Sequence, residues 1–149
     1  MTNLYPPTYI VWSTDQVERE QLKVDLTLDS PYRFAPAEEG DAGVLVNDFM
    51  DIQDDKTLAF FGRAEPRNAI DLYFLSQRTN LEDLAKLARQ KDTGFDLYWF
   101  AIALNRTANF PGEIECWPVK MLVDYDPAAL KRSFQGLAMK ILAENTRKG

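Results

Sequence analysis

The chain has 149 residues, of which 46% are hydrophobic and 27% charged, with a formal net charge of −6, a single cysteine (Cys116) and no histidine. Such a chain can bury about 70% of its unfolded surface in one core; its overall composition is far from that of a disordered chain, and a single cysteine excludes a disulfide-stapled scaffold. Without an imidazole, Ser-His-Asp and Cys-His catalysis, zinc deaminases and two-His iron sites are excluded, which leaves carboxylate, lysine, tyrosine and backbone chemistry.

The first residues, 1–7, carry no basic run and no long apolar core, so they do not read as a signal peptide. After Pro6-Pro7, residues 9–13 are rich in β-formers and predict a first strand. Residues 14–21 fit a turn of helix or the polar start of a strand equally. Residues 22–29 alternate strictly, with Leu22, Val24, Leu26 and Leu28 between polar partners, the pattern of a half-buried antiparallel strand with even-numbered residues inward. Pro31, Pro36, Gly40 and Gly43 make residues 30–43 a long loop. Two β-like runs, 44–52 and 57–63, follow, and Asp54-Asp55-Lys56 reads as the tight hairpin connection between them. Residues 69–76 are ambiguous. Pro66 suits a helix start, whereas β-branched and aromatic content favours a second hairpin across 65–68.

Thr79-Asn80-Leu81-Glu82 fits a capping box, and Leu81, Leu84, Ala85, Leu87 and Ala88 then share one face of a helix that Gly94 ends. Residues 95–104 are a continuous apolar run of strand length, dense in aromatics, which predicts a strand buried on both faces. Residues 105–112 read as a loop and 113–125 as an edge strand interrupted by Pro118. Asp126-Pro127 is a strong helix start, and Leu130, Phe134, Leu137, Ile141 and Leu142 form the apolar face of a terminal helix.

Strands that mostly follow strands predict one α+β domain over residues 1–149, with a mostly antiparallel sheet of about 6–8 strands, a middle helix over about 80–92 and a C-terminal helix over about 127–145. A receiver-like order, with a parallel strand at 9–13, a helix over 14–28 and a third strand at 43–47, is opposed by the alternation at 22–29.

Charge is distributed unevenly. Residues 14–55 hold twelve acids against three bases, while 56–149 carry a small positive excess. The candidate binding residues are Glu38, Glu39, Asp41, Asp48, Asp51, Asp54 and Asp55, an acidic surface suited to a basic protein partner. As metal ligands, Asp48, Asp51, Asp54 and Asp55 lack the glycine and closing glutamate of a calcium loop. Glu113, Glu115 and Lys120 are mis-spaced for a metal-dependent nuclease and read as the charged face of an edge strand. Cys116 has no histidine to activate it and reads as a small buried hydrophobe. No two glycines fall in a phosphate-loop spacing, and no basic run is interleaved with aromatics for direct nucleic-acid binding.

The expected function is a non-catalytic protein-protein interaction module, such as an inhibitor, an immunity or adaptor protein, or an assembly subunit, and its partners could include further copies of the chain. It is expected without metal or cofactor and away from membranes, in the cytoplasm. The alternatives are a divalent-metal hydrolase or nuclease using the carboxylates, and an acidic inhibitor that imitates nucleic acid. The longest apolar stretches fall short of the roughly 20 residues that a bilayer span requires.

Overall fold

A computed structural model describes residues 9–14, 21–26 and 31–148 of the chain. Backbone proximity divides the chain into two compact units, Met1–Tyr32 and Arg33–Gly149.

In the first unit, β1 (Tyr9–Thr14) pairs antiparallel with β2 (Gln21–Leu26), so that Val11 faces Val24 and Trp12 faces Lys23 along the ladder. Strands were expected at 9–13 and 22–29, and both are present where the chain is described. The choice between turn and strand at 14–21 falls largely on residues outside the described set, as does the inward or outward sense of the side chains. The antiparallel pairing of β1 with β2 also removes the receiver-like order.

The second unit opens with a small antiparallel hairpin, β3 (Glu38–Glu39) and β4 (Leu45–Val46). Five helices follow: α1 (Phe49–Gly62), α2 (Pro66–Ser76), α3 (Leu81–Lys91), α4 (Leu97–Arg106) and α5 (Pro127–Lys148). Single 3₁₀ turns occur at Thr107–Asn109 and Ile114–Cys116. The 6–8-stranded sheet expected from the sequence is therefore incorrect. Among the described residues, strands occur only as two two-stranded sheets, and helices carry the core.

Each misassigned segment has a physical cause. Residues 44–52 and 57–63 were expected as strands joined by a hairpin at 54–56, but 49–62 form one helix. The inward face of α1 is polar over most of its length, with Asp51, Gln53, Asp54 and Thr57 buried before Phe60, so no apolar stripe at helical spacing marks it. Its start is set by Asp48, whose Oδ1 accepts the Met50 amide at 2.8 Å.

Pro66–Ser76 form α2 rather than a strand of a hairpin, because Pro66 at the first helical position fixes a helical φ and gives up an amide that no helix partner would use. Residues 97–104 form α4 rather than a doubly buried strand. A continuous apolar run looks the same in either state, and the Asp96 side chain, accepting the Trp99 amide at 3.0 Å, selects the helix. Residues 113–125 hold one 3₁₀ turn and irregular chain in place of an edge strand, a segment anchored by Trp117, whose indole Nε1 donates to the Pro111 carbonyl at 2.9 Å.

The two helices read correctly combine a side-chain cap with an apolar stripe at helical spacing, which α1 and α4, though capped by Asp48 and Asp96, lack. The α3 cap is Asn80, which accepts the Asp83 amide at 2.9 Å, rather than Thr79. The helix ends at Lys91, three residues before Gly94. Asp126 caps α5 through the Ala128 amide at 2.9 Å. Phe134 of α5 then meets Phe60 of α1 with ring centroids 5.5 Å apart, and Phe60 meets Phe100 of α4 edge-on at 6.1 Å. These three rings, with Leu72, Leu84, Leu104 and Leu130, are fully buried and join all five helices in one core. Among the described residues, no helix is long and apolar enough to cross a membrane.

Candidate interaction surface and acid-lysine cluster

The seven acids proposed as one surface separate into three groups with different surroundings. Asp48 is the α1 cap. Asp51, Asp54 and Asp55 lie within the next two turns of α1, where they gather around Lys91 at the end of α3. Glu38, Glu39 and Asp41 stay exposed on the β3–β4 hairpin.

The acid-lysine cluster is nearly dry. Asp54 is 0% and Asp51 1% exposed, and the Lys91 side chain is only 6% exposed. Lys91 Nζ donates to Asp55 Oδ1 at 2.6 Å and lies 3.7 Å from both Asp51 Oδ1 and Asp54 Oδ2. The Asp51 carboxylate accepts the Phe34 amide at 3.0 and 3.2 Å and the Ala35 amide at 3.2 Å, which ties the segment before the hairpin to α1. Burial alone pushes the Asp51 carboxyl up, yet these two amides, with the charges of Lys91 and Arg33, hold it below the usual carboxylate range.

Asp54 has no such support: among the described residues neither of its oxygens accepts a hydrogen bond. Burial, opposed by Lys91 but reinforced by Asp55 and Asp51, pushes its carboxyl up to about 6. Burial would lower the Lys91 ammonium, but the Asp55 bond and the other two carboxylates hold it above its ordinary value. One fixed cation therefore serves three acids, and the arrangement favours a proton on Asp54. Lys91 occupies the space between the carboxylates that a metal ion would need. Among the described residues, no group of three or more acids and cysteines is arranged to hold one.

The hairpin has the opposite character. Val44, Leu45 and Val46 are 63%, 71% and 49% exposed, and Phe49 and Met50 at the start of α1 are also exposed. These are five large apolar side chains within seven positions, bordered by Glu38, Glu39, Asp41 and Asp48. Phe49 continues into a cleft between α1 and α2 formed with Ile52, Phe74 and Leu75, and the Arg78 guanidinium stands 5.6 Å from the Phe49 ring centroid. A second apolar groove, with Ala85, Leu97, Leu137 and Ile141 as its floor, lies between α3, α4 and α5.

The remaining candidates do not converge. Glu113 precedes the 3₁₀ turn, Glu115 lies within it, and Lys120 lies beyond it in irregular chain. Cys116, expected as buried, is exposed, and its Sγ lies 3.9 Å from Glu113 Oε2. Sequence reasoning missed Lys91, which looks like an ordinary basic residue at a helix C-terminus. It also assigned Val44 to Val46 to a sheet that would have covered them. No family model matches the chain, and no curated protein or solved structure matches it either.

Proposed function

We propose that this chain is a non-catalytic protein-binding module, acting in the cytoplasm, that engages a partner through the β3–β4 hairpin and the first turn of α1. The observation that carries this reading is the bare apolar run at Val44, Leu45, Val46, Phe49 and Met50 beside the exposed acids Glu38, Glu39 and Asp41. Monomeric surfaces rarely leave apolar side chains concentrated in this way, and an apolar centre with a charged border is the usual composition of an interface. The acids make the fitting partner a protein whose own apolar patch is bordered by lysine and arginine. Asp51 and Asp54 belong to the interior, so the acidic part of the surface is narrower than the sequence suggests.

Affinity capture with the full chain from its native host identifies the partner, after which the purified pair is compared across variants. Leu45→Asp and the double variant Glu38→Lys with Glu39→Lys are each expected to weaken binding at least about tenfold, or 1.4 kcal/mol. Leu122→Asp, at an equally exposed apolar position on the 119–124 segment, is expected to bind normally. A partner that binds all three variants as tightly as the parent chain refutes the reading.

A further inference from the structure

The β3–β4 hairpin is well formed internally yet incomplete as a sheet. Gly40 N donates to Val44 O at 2.8 Å and Gly43 N to Gly40 O at 3.0 Å, closing a tight connection in which Gly43 takes φ +69°. That left-handed conformation is open to glycine at little cost. A Cβ at Gly40 would come within 2.9 Å of Val46 Cγ2, so the small residue there also lets the strands approach.

Register fixes where the backbone groups point. Residues 40 and 44 are a hydrogen-bonded pair, so in an antiparallel ladder the next pair, Glu39 and Leu45, is a non-hydrogen-bonded one, and Glu38 with Val46 is bonded again. The N–H and C=O of Leu45 therefore project away from β3, toward the open edge of β4. Successive side chains of a strand point to opposite faces, yet Val44, Leu45 and Val46 are all exposed. Among the described residues, both faces of β4 are thus bare and its far edge pairs with no other strand. A two-stranded ribbon with neither face covered is marginal in water, and an apolar edge is a template for another strand.

We propose that β4 is an acceptor for an extended segment of the partner protein, which adds as a third strand along Val44, Leu45 and Val46. This rests on the protein-binding reading above and specifies its mode. In strand addition the main chain supplies pairing, while alternate side chains supply selectivity. The exposed apolar residues of β4 suit apolar side chains in the incoming segment. Glu38 and Glu39, one on each face of β3, and Asp41 in the turn suit lysine or arginine in the incoming segment, so the segment carries both apolar and basic residues.

The probe is the peptide acetyl-(Lys-Val)₃-amide, titrated into the isotopically labelled full chain. Saturable binding is expected, with exchange of the Leu45 amide slowed by about tenfold or more, while the Val46 amide, already paired to Glu38, changes little. The same peptide N-methylated at every residue keeps its side chains but offers no amide donor on either edge, and it is expected not to bind. Absence of saturable binding up to millimolar peptide, or an unchanged Leu45 amide at saturation, overturns the proposal. An N-methylated peptide that binds equally well overturns strand addition, while a partner still sensitive to Leu45→Asp leaves the protein-binding reading standing. Protection of Leu45 that grows with chain concentration in the absence of peptide overturns it in favour of pairing between copies.

Discussion

The Lys91 ammonium lies 3.7 Å from Asp54 Oδ2, and both side chains are withdrawn from water. The contact joins the end of α3 to the second turn of α1 at a place where α1 presents polar residues to the interior. Removing the cation leaves Asp54 buried without its opposing charge, and leaves Asp51 with only its two amides and the Arg33 charge. Lys91→Met is therefore expected to destabilise the fold by about 3–5 kcal/mol, the range for breaking a buried pair from one side. Urea denaturation of the two proteins at pH 7 measures it, and a loss below about 1 kcal/mol would show that water reaches the cluster.

The pH dependence of stability follows from the two inner carboxylates, which act in opposite directions. Asp54, raised from 3.8 to about 6, binds its proton more tightly in the folded than in the unfolded chain, so its ionisation costs stability as pH rises from about 4 through 6. Asp51 is lowered, so its contribution is complete above its unfolded value and is lost as pH falls through its folded one. Stability is expected to peak near pH 4 and to decline from there to a little above pH 6. Asp54→Asn should remove the decline on the alkaline side, worth at most about 3 kcal/mol for a shift of this size. Denaturation midpoints from pH 3 to 8 test this, and a slope that survives in Asp54→Asn assigns the titration to another group.

Phe134 of α5 is fully buried against Phe60. Phe134→Ala is expected to cost about 3–5 kcal/mol through lost transfer energy and the cavity left behind. Thermal or urea unfolding gives the value. A change within about 0.5 kcal/mol, the range of surface substitutions, would mean that α5 does not close this core.

Association with the partner is expected to be electrostatically steered. The charges of Glu38, Glu39 and Asp41 are exposed, and attraction between exposed charges is screened beyond roughly 8 Å at physiological salt. Changing all three to amides should lower the association rate and its salt dependence, with little effect on dissociation or on folding. Stopped-flow or surface-binding kinetics at two salt concentrations decide it. Equal association rates at both would assign the affinity to the apolar residues alone.

How far the fold was legible depended on whether the local signal and the burial pattern agreed. The 22–29 alternation and the caps at Asn80 and Asp126 state their structures locally, and those elements appear as expected. In α1 the signal runs the other way. Its polar residues Asp51, Gln53, Asp54 and Thr57 face inward because Lys91, Thr79 and backbone groups are there to meet them, a compensation supplied by residues distant in sequence. In α4 the run from Leu97 to Leu104 is apolar all round, although only Phe100, Ala101, Ala103 and Leu104 are buried, so periodicity carries no information. The candidate site was legible by the same measure. The exposed acids of the hairpin follow from local turn chemistry, whereas the inward turn of Asp51 and Asp54 needs a partner 40 and 37 residues along the chain.

The seclusion of Lys91 also makes it an internal clock. Lys56, Lys86 and Lys140 have side chains 47%, 70% and 55% exposed, whereas that of Lys91 is 6% exposed and held by Asp55. An amine-reactive reagent applied to the native protein therefore modifies the other three at once and reaches Lys91 only when α1 and α3 part. The pace at which that one amine acquires its label records how often the molecule opens at this seam.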